Sequence, residues 1–203
     1  ASCTLTVDPD AVGNLRYTWA TGYGPIKAIL LTAGSLQLQG AATRTTETAL
    51  VSGGLKSDWI TITDSNSDGF HQYLTMSPNW DGGTVTATIT VINVNATPAN
   101  DLELDVSGQC FAIGDAVPTT ISTTGEQPVT IDFDASGSCG GSACSQNDRV
   151  SVTSAAITLN GTPAASAYCG FQAQVDATAT TTAQVADIKI LDMTIHYAIG
   201  KGL

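Results

Sequence analysis

From residue 84 the chain reads Thr84-Val85-Thr86-Ala87-Thr88-Ile89-Thr90-Val91, with a threonine at every second position and an apolar side chain between. A period of two puts the threonines on one face of a pleated strand and the apolar residues on the other, whereas a helix would smear both sets around its circumference. The stretch before it, Met76-Ser77-Pro78-Asn79-Trp80-Asp81-Gly82-Gly83, is a corner. Pro78 has no N–H to give a sheet, and Asp81-Gly82-Gly83 supplies positions for a sharp reversal. Trp80 is expected to swing its indole beneath that corner and close one end of a core.

The same grammar recurs along the chain. Trp59 to Ile62, Phe70 to Met76, Val85 to Val94, Leu102 to Val106, Val129 to Phe133, Val150 to Leu159, Tyr168 to Val175 and Ile188 to Ile199 read as strands. Phe70, Gln72, Leu74 and Met76 share one face. Cys110 to Ile113 and Thr119 to Thr123 read as shorter strands, and Asn160-Gly161 as a tight turn. Short strands at roughly 8–15-residue spacing, with no helical period between them, predict two facing antiparallel sheets. The fold class is therefore all-β: an antiparallel β-sandwich of jelly-roll type over residues 55–203, with an N-terminal β arm or extension over residues 1–54. Ile26 to Leu38 is the one long apolar run, read as a buried strand pair broken at Ala33-Gly34. The first 54 residues either add strands to a neighbouring subunit or form the first strands of the same domain.

Charge narrows the partners. Only 12 % of the 203 residues are charged, yet 7 basic against 18 acidic residues leave a net charge of −11, so solvation falls to hydroxyls, amides and carboxylates. No cluster of Lys and Arg exists to displace counterions from phosphates, which argues against nucleic acid. No run of 18 apolar residues appears, and so no membrane partner is expected. No signal peptide is visible, and the opening Ala1-Ser2 suits either initiator-Met removal or signal cleavage.

Five cysteines is an odd count, so they cannot all pair within one chain. Cys139 and Cys144 flank a glycine-rich loop and read as free thiols, as a disulfide, or as half of a metal site that lacks its second close pair. Cys110 and Cys169 lie in strand-like contexts and read as small core hydrophobes.

Candidate chemistry is sparse. Asp64-Ser65-Asn66-Ser67-Asp68-Gly69 has the spacing at which Asp64, Asn66 and Asp68 oxygens converge on calcium, with Gly69 making the bend. The twelfth position is Thr75 instead of a bidentate Glu, and the flanks are strands, so the competing reading is a solvated hairpin turn. Apart from this calcium no cofactor is expected. His71 and His196 are the only imidazoles, in separate predicted strands, with no nucleophile elbow near them. No catalytic residue is assigned, and the chain is not read as an enzyme. Tyr17, Trp19 and Tyr23 are aromatics that, if exposed, stack sugars; core or subunit packing is the plainer role.

A strand ending in Pro78-Asn79-Trp80-Asp81-Gly82-Gly83 is followed by the turn Gly161-Thr162-Pro163-Ala164 and a closing strand through Ile195-His196-Tyr197. In this order over about residues 57–199, the chain resembles a group of jelly-roll virion proteins of tailed bacteriophages. It departs from them at Val175-Asp176, where the group has an Arg-Asp step, and in the Cys139–Cys144 loop. The resemblance implies a virion structural protein: exterior capsid decoration or a head or neck fibre component, assembled in the host cytoplasm. Its partners would be itself, as a homo-oligomer with a trimer favoured, and other virion proteins such as the major capsid protein. The alternative from another class is a receptor- or glycan-binding module of a phage fibre or of a secreted bacterial protein.

Overall fold

A computed structural model of the chain describes residues 3–7, 15–19, 26–49, 56–62, 68–93, 102–117, 119–133, 139, 143–176 and 188–200. Among the described residues there is no helix. In chain order the strands are β1 (Cys3–Val7), β2 (Leu15–Trp19), β3 (Ile26–Thr32), β4 (Gln37–Gln39), β5 (Thr43–Ala49), β6 (Lys56–Thr61) and β7 (Gly69–Thr75). They continue with β8 (Trp80–Asn93), β9 (Leu102–Phe111), β10 (Gln127–Ile131), β11 (Arg149–Thr153), β12 (Asn160–Gly161), β13 (Tyr168–Val175) and β14 (Ile188–Ile199).

β1 and β2 pair with each other. The rest form two sheets, ordered β10-β9-β13-β7-β4 and β11-β8-β14-β6-β5, with β12 added to β9 and β3 added to β14. Between β6 and β14 the major strands cross to the opposite sheet at each connection, except that β9 and β10 are neighbours in one sheet. Two four-stranded layers wound in this way, β10-β9-β13-β7 and β11-β8-β14-β6, make a jelly roll, the antiparallel sandwich that the alternating sequence predicts.

The period of two explains the core. Val85, Ala87, Ile89 and Val91 of β8 face inward beside Ile190, Met193 and Ile195 of β14. Opposite them lie Leu102, Leu104 and Val106 of β9, Val129 and Ile131 of β10, Phe171 and Ala173 of β13, and Phe70 of β7. Trp80 is buried at one end, where its backbone N–H donates to the Ser77 carbonyl at 3.1 Å and Gly200 N–H donates to the Asn79 carbonyl at 2.9 Å. The indole thus closes the core under the corner, as its position after Pro78 predicts.

Two expectations change. The run Ile26 to Leu38 does form two strands, but β3 joins β14 while β4 joins β7 in the other sheet. Ile26 and Leu30 are 62 % and 60 % exposed, since β3 is paired along one edge only and they lie on its outward side. The polar stretch Thr43 to Thr48 is part of β5. Thr119 to Thr123, read as a strand, makes no ladder; its Ile121 is instead buried against the outer face of the first sheet.

The cysteines also differ. Cys110 and Cys169 are buried as expected, but they are bonded to each other, because register sets them directly opposite on β9 and β13 with Cα atoms 4.0 Å apart. Cys139 and Cys144 form a second disulfide, the alternative in which the glycine-rich loop closes on itself. Gly161 explains why β12 can lie along β9: its φ is +77°, and a Cβ there would meet the Cys110 carbonyl oxygen at 2.0 Å.

The bond between Cys110 and Cys169 closes a segment of 59 residues and should contribute about 4 kcal/mol to stability. The double substitution Cys110→Ala with Cys169→Ala is expected to lower the urea midpoint accordingly. An unchanged midpoint would show that the ladder alone holds β9 to β13.

Candidate functional site on the outer face of one sheet

The outer face of the sheet β10-β9-β13-β7-β4 collects side chains that the core does not use. Alternation sends Glu103, Asp105, Ser107, Gln109 and Phe111 outward from β9, and Tyr168, Gly170, Gln172 and Gln174 outward from β13. Across the next ladder His71 lies opposite Gln172, and Tyr73 lies opposite Gly170. Gln37 of β4 lies opposite His71.

One end is aromatic. Tyr73 and Tyr168 stack with ring centroids 5.7 Å apart and planes 14° apart, while His71 meets the edge of Tyr73 at 5.8 Å. Phe111 stands 6.3 Å from Tyr73 on the other strand. Gly170 makes room for this arrangement, since a Cβ there would lie 2.5 Å from Tyr73 Cε1 and 2.9 Å from Ile121 Cδ1. Burial and the neighbouring Tyr168 raise the Tyr73 pKa, and burial lowers that of His71, so His71 is neutral and its ring nitrogens are free to serve as donor and acceptor. Beyond Tyr168 an apolar cleft of about 390 Å³ runs between Phe111, Ile113, Ala164 and Ala167.

The middle is an amide strip. A hollow of about 110 Å³ is lined by Gln39, His71, Tyr73, Ile121 and Gln172. The segment carrying Ile121 is tied down across it: Ser122 N–H donates to Gln109 Oε1 at 3.0 Å, and Gln172 Nε2 donates to the Ile121 carbonyl at 3.5 Å.

The far end is acidic. Carboxylate oxygens of Glu103, Asp105 and Asp176 lie within 4.8 Å of one another, and Glu126 lies close enough to act on Asp105. Asp105, Glu126 and Asp176 line a cleft of about 240 Å³ with Thr123, Gln172 and Gln174. Thr130 Oγ1 donates to Glu103 Oε2 at 3.1 Å. Burial first, and then the charges of Glu126, Asp176 and Glu103, push the Asp105 pKa up to about 6; burial and Asp176 raise that of Glu126 as well. A group of this kind is an oxygen-donor set able to hold a divalent cation.

Of the residues singled out in the sequence, His71 lies on this face. Asp64 and Asn66 lie outside the described residues. Asp68 is fully buried; Ala41 N–H donates to its Oδ1 at 2.7 Å, and Val175 N–H donates to its carbonyl at 2.9 Å. It therefore ties β13 and the segment after β4 to the start of β7. Tyr17 and Trp19 belong to β2, whose side chains are outside the described set, as is Tyr23. His196 sits on the outer face of the other sheet, 2.9 Å from Thr88 Oγ1. The sequence reading missed Tyr73, Tyr168 and the acidic end. A signal for the first existed: with Phe70, Leu74 and Met76 inward, His71 and Tyr73 must face out.

No protein-family model matches the chain, and no curated protein matches it. Among solved structures it is similar to an exo-β-1,3-galactanase from Phanerochaete chrysosporium at 16 % identity and a TM-score of 0.44, over 89 % of this chain but 30 % of that one. It is also similar to the carbohydrate-binding module CBM36 in complex with calcium and xylotriose, at 10 % identity and a TM-score of 0.41, over 82 % and 97 % of the two chains. A third is the Cocksfoot mottle virus structure, at 13 % identity and a TM-score of 0.24, over 96 % and 95 %. With TM-scores below 0.5, none of these likenesses says what this chain binds.

The raised Asp105 pKa has a sign. The folded state holds the proton more tightly than the unfolded chain, so this stabilisation is fully present below about pH 4 and is lost as pH rises through about 6. Because Asp105 is only partly buried, the effect after solvent screening is on the order of 1 kcal/mol. Urea midpoints measured from pH 4 to 7 should fall more steeply for the native chain than for Asp105→Asn. Parallel curves would refute the assignment.

Proposed function

We propose that the chain is a glycan-binding module, and that the outer face of β10-β9-β13-β7-β4 is its binding surface. The observation that carries this reading is the Tyr73–Tyr168 stack, held on a sheet with the imidazole of His71 and the amides of Gln37 and Gln39 on the same face. Sugar rings present a C–H face and a rim of hydroxyls. The first packs on an aromatic plane, and the second needs side chains that both donate and accept, as Gln37, Gln39 and His71 do. A rigid strand framework sets those groups in place before the ligand arrives, which limits the ordering cost of binding.

The module acts by adhesion and without turnover. The acidic cluster stands at the opposite end of β13 from Tyr168, about 25 Å away along the strand, so a sugar seated on the platform is out of reach of those carboxylates. Two disulfides favour an oxidising setting, such as a secreted protein or the outside of a virion. A place on a phage particle draws support from β3, whose exposed Ile26 and Leu30 beside an open edge suit burial against another subunit. Both placements are compatible with the same glycan-binding face.

Screening the purified chain against a glycan array should return ligands bound by this face. Tyr73→Ala and Tyr168→Ala are each expected to weaken binding by roughly tenfold to a hundredfold while leaving the melting temperature near that of the native chain. Ligands that survive both substitutions unaltered, or release of reducing sugar on incubation, would count against the proposal.

A further inference from the structure

Between β9 and β10 the residues Thr119–Thr124 cross the outer face of the first sheet without joining it. Most of their side chains are exposed, and Ile121 is the anchor. It is 5 % exposed and lies over the bare backbone of Gly170, where a Cβ would come within 2.9 Å of its Cδ1. The crossing is tied to the sheet by Ser122 N–H, which donates to Gln109 Oε1 at 3.0 Å, and by Gln172 Nε2, which donates to the Ile121 carbonyl at 3.5 Å. The second of these is at the long limit for such a bond. At its far end the segment is fixed: Asn160 Nδ2 donates to the Thr124 carbonyl, and a Cβ at Gly125 would meet the Thr158 carbonyl oxygen at 2.7 Å.

What lies beneath is polar and incompletely paired. Ser107 points outward from β9, directly across the ladder from Gln172. Both are buried, at 1 % and 4 % exposed, under a segment tied to Gln109 and to Gln172 itself. The Ser107 hydroxyl has no hydrogen-bond partner. Buried hydroxyls are ordinarily paired, so covering this one carries a penalty that lifting the segment removes. Gln172 also lines two hollows, one of about 110 Å³ shared with His71 and Tyr73, the other of about 240 Å³ shared with Gln174. They reach it from opposite sides of the segment, since Ile121 walls the first and Thr123 the second. With the segment lifted they are one groove that starts at the Tyr73–Tyr168 platform.

We propose that Thr119–Thr123 is a displaceable strap over a second sugar subsite. There Ser107, Gln109 and Gln172 bond the hydroxyls of an oligosaccharide whose first ring rests on Tyr73 and Tyr168. This subsite extends the glycan reading and rests on it. Hydroxyl and amide side chains both donate and accept, as the rim of a sugar requires. Gln172 stands four residues from Tyr168, about 13 Å along the strand, beyond the reach of a single ring on the platform and within that of a short chain. Neither hollow is lined by Lys or Arg, and Asp105, Glu126 and Asp176 line the farther one, so the chain it takes is a neutral one. A single sugar binds with the strap in place. A longer chain selects the lifted state and gains the groups beneath it.

Amide hydrogen exchange on the full chain tests the strap. Ser122 N–H should exchange at least about a hundredfold faster than amides of the β9–β13 ladder. Ile121→Ser, which removes the anchor, should speed it by a further factor of about ten, and Ser107→Ala, which removes the unpaired hydroxyl, should slow it by about threefold. A Ser122 amide as protected as that ladder, or one that neither substitution moves, would overturn the strap. Calorimetry tests the subsite, with glucose, galactose, xylose and mannose as probes, each as the single sugar and as its linear hexamer. For at least one of them the hexamer should bind at least about tenfold tighter than the single sugar. Gln172→Ala should reduce that advantage by about tenfold, and Ile121→Ser should increase it by about threefold. An advantage that both variants leave unaltered refutes the subsite. So does equal binding of hexamer and single sugar, both lost in Tyr73→Ala, a result under which the platform stands. If no probe binds at either length the subsite falls, while the platform is judged by the glycan array.

Discussion

The ladder between β9 and β13 is the interaction on which the rest of the molecule depends. Eight consecutive pairs, from Tyr168 opposite Phe111 to Val175 opposite Leu104, hold two strands in one register. In a pleated sheet a slip of one residue would turn every side chain over. That register buries Leu104, Val106, Phe171 and Ala173, and by the same alternation turns Asp105, Gln109 and Tyr168 to the outer face. Core and outer face are two sides of one constraint, and the Cys110–Cys169 bond pins it with a covalent link at one of those eight pairs.

The face is built by removal as much as by addition. Gly170 lacks the side chain that would push Tyr73 and Ile121 away, so an aromatic ring and a loop residue lie flat on bare backbone. The loop after β9 then covers the middle of the strip and leaves its two ends open, one aromatic and one acidic. The net charge of −11 is not spread evenly: four carboxylates gather at the acidic end, while the outer face of the other sheet is largely threonine, with His196, Ile26 and Leu30. The two sides of the sandwich thus offer different chemistry to whatever approaches them.

Much of the architecture is legible in the sequence because period two is a local signal. Thr84 to Val91, Leu102 to Val106 and Phe70 to Met76 declare both their strand character and their buried side without knowledge of any partner. The site is less legible because it is made by pairing. Nothing within Leu102–Phe111 or Tyr168–Val175 alone says that Cys110 will face Cys169, or that Asp105 and Asp176 will share a cleft. Those facts need the register between segments about 60 residues apart. Ile26 to Leu38 misled for a related reason. An apolar run reads as buried, yet a strand paired along one edge leaves Ile26 and Leu30 on the outward side.

The second sheet has β14 at its centre, with β8 on one side and β3 and β6 on the other. Thr32 pairs with Asp192, which lies 160 residues further along the chain. On the ribosome, β3, β6 and β8 must therefore wait with their inner edges unfilled until β14 is synthesised. Loop closure over such a span is slow compared with the making of a hairpin. For that interval like-charge repulsion along an acidic chain opposes pairing of the half-made sheet with its neighbours.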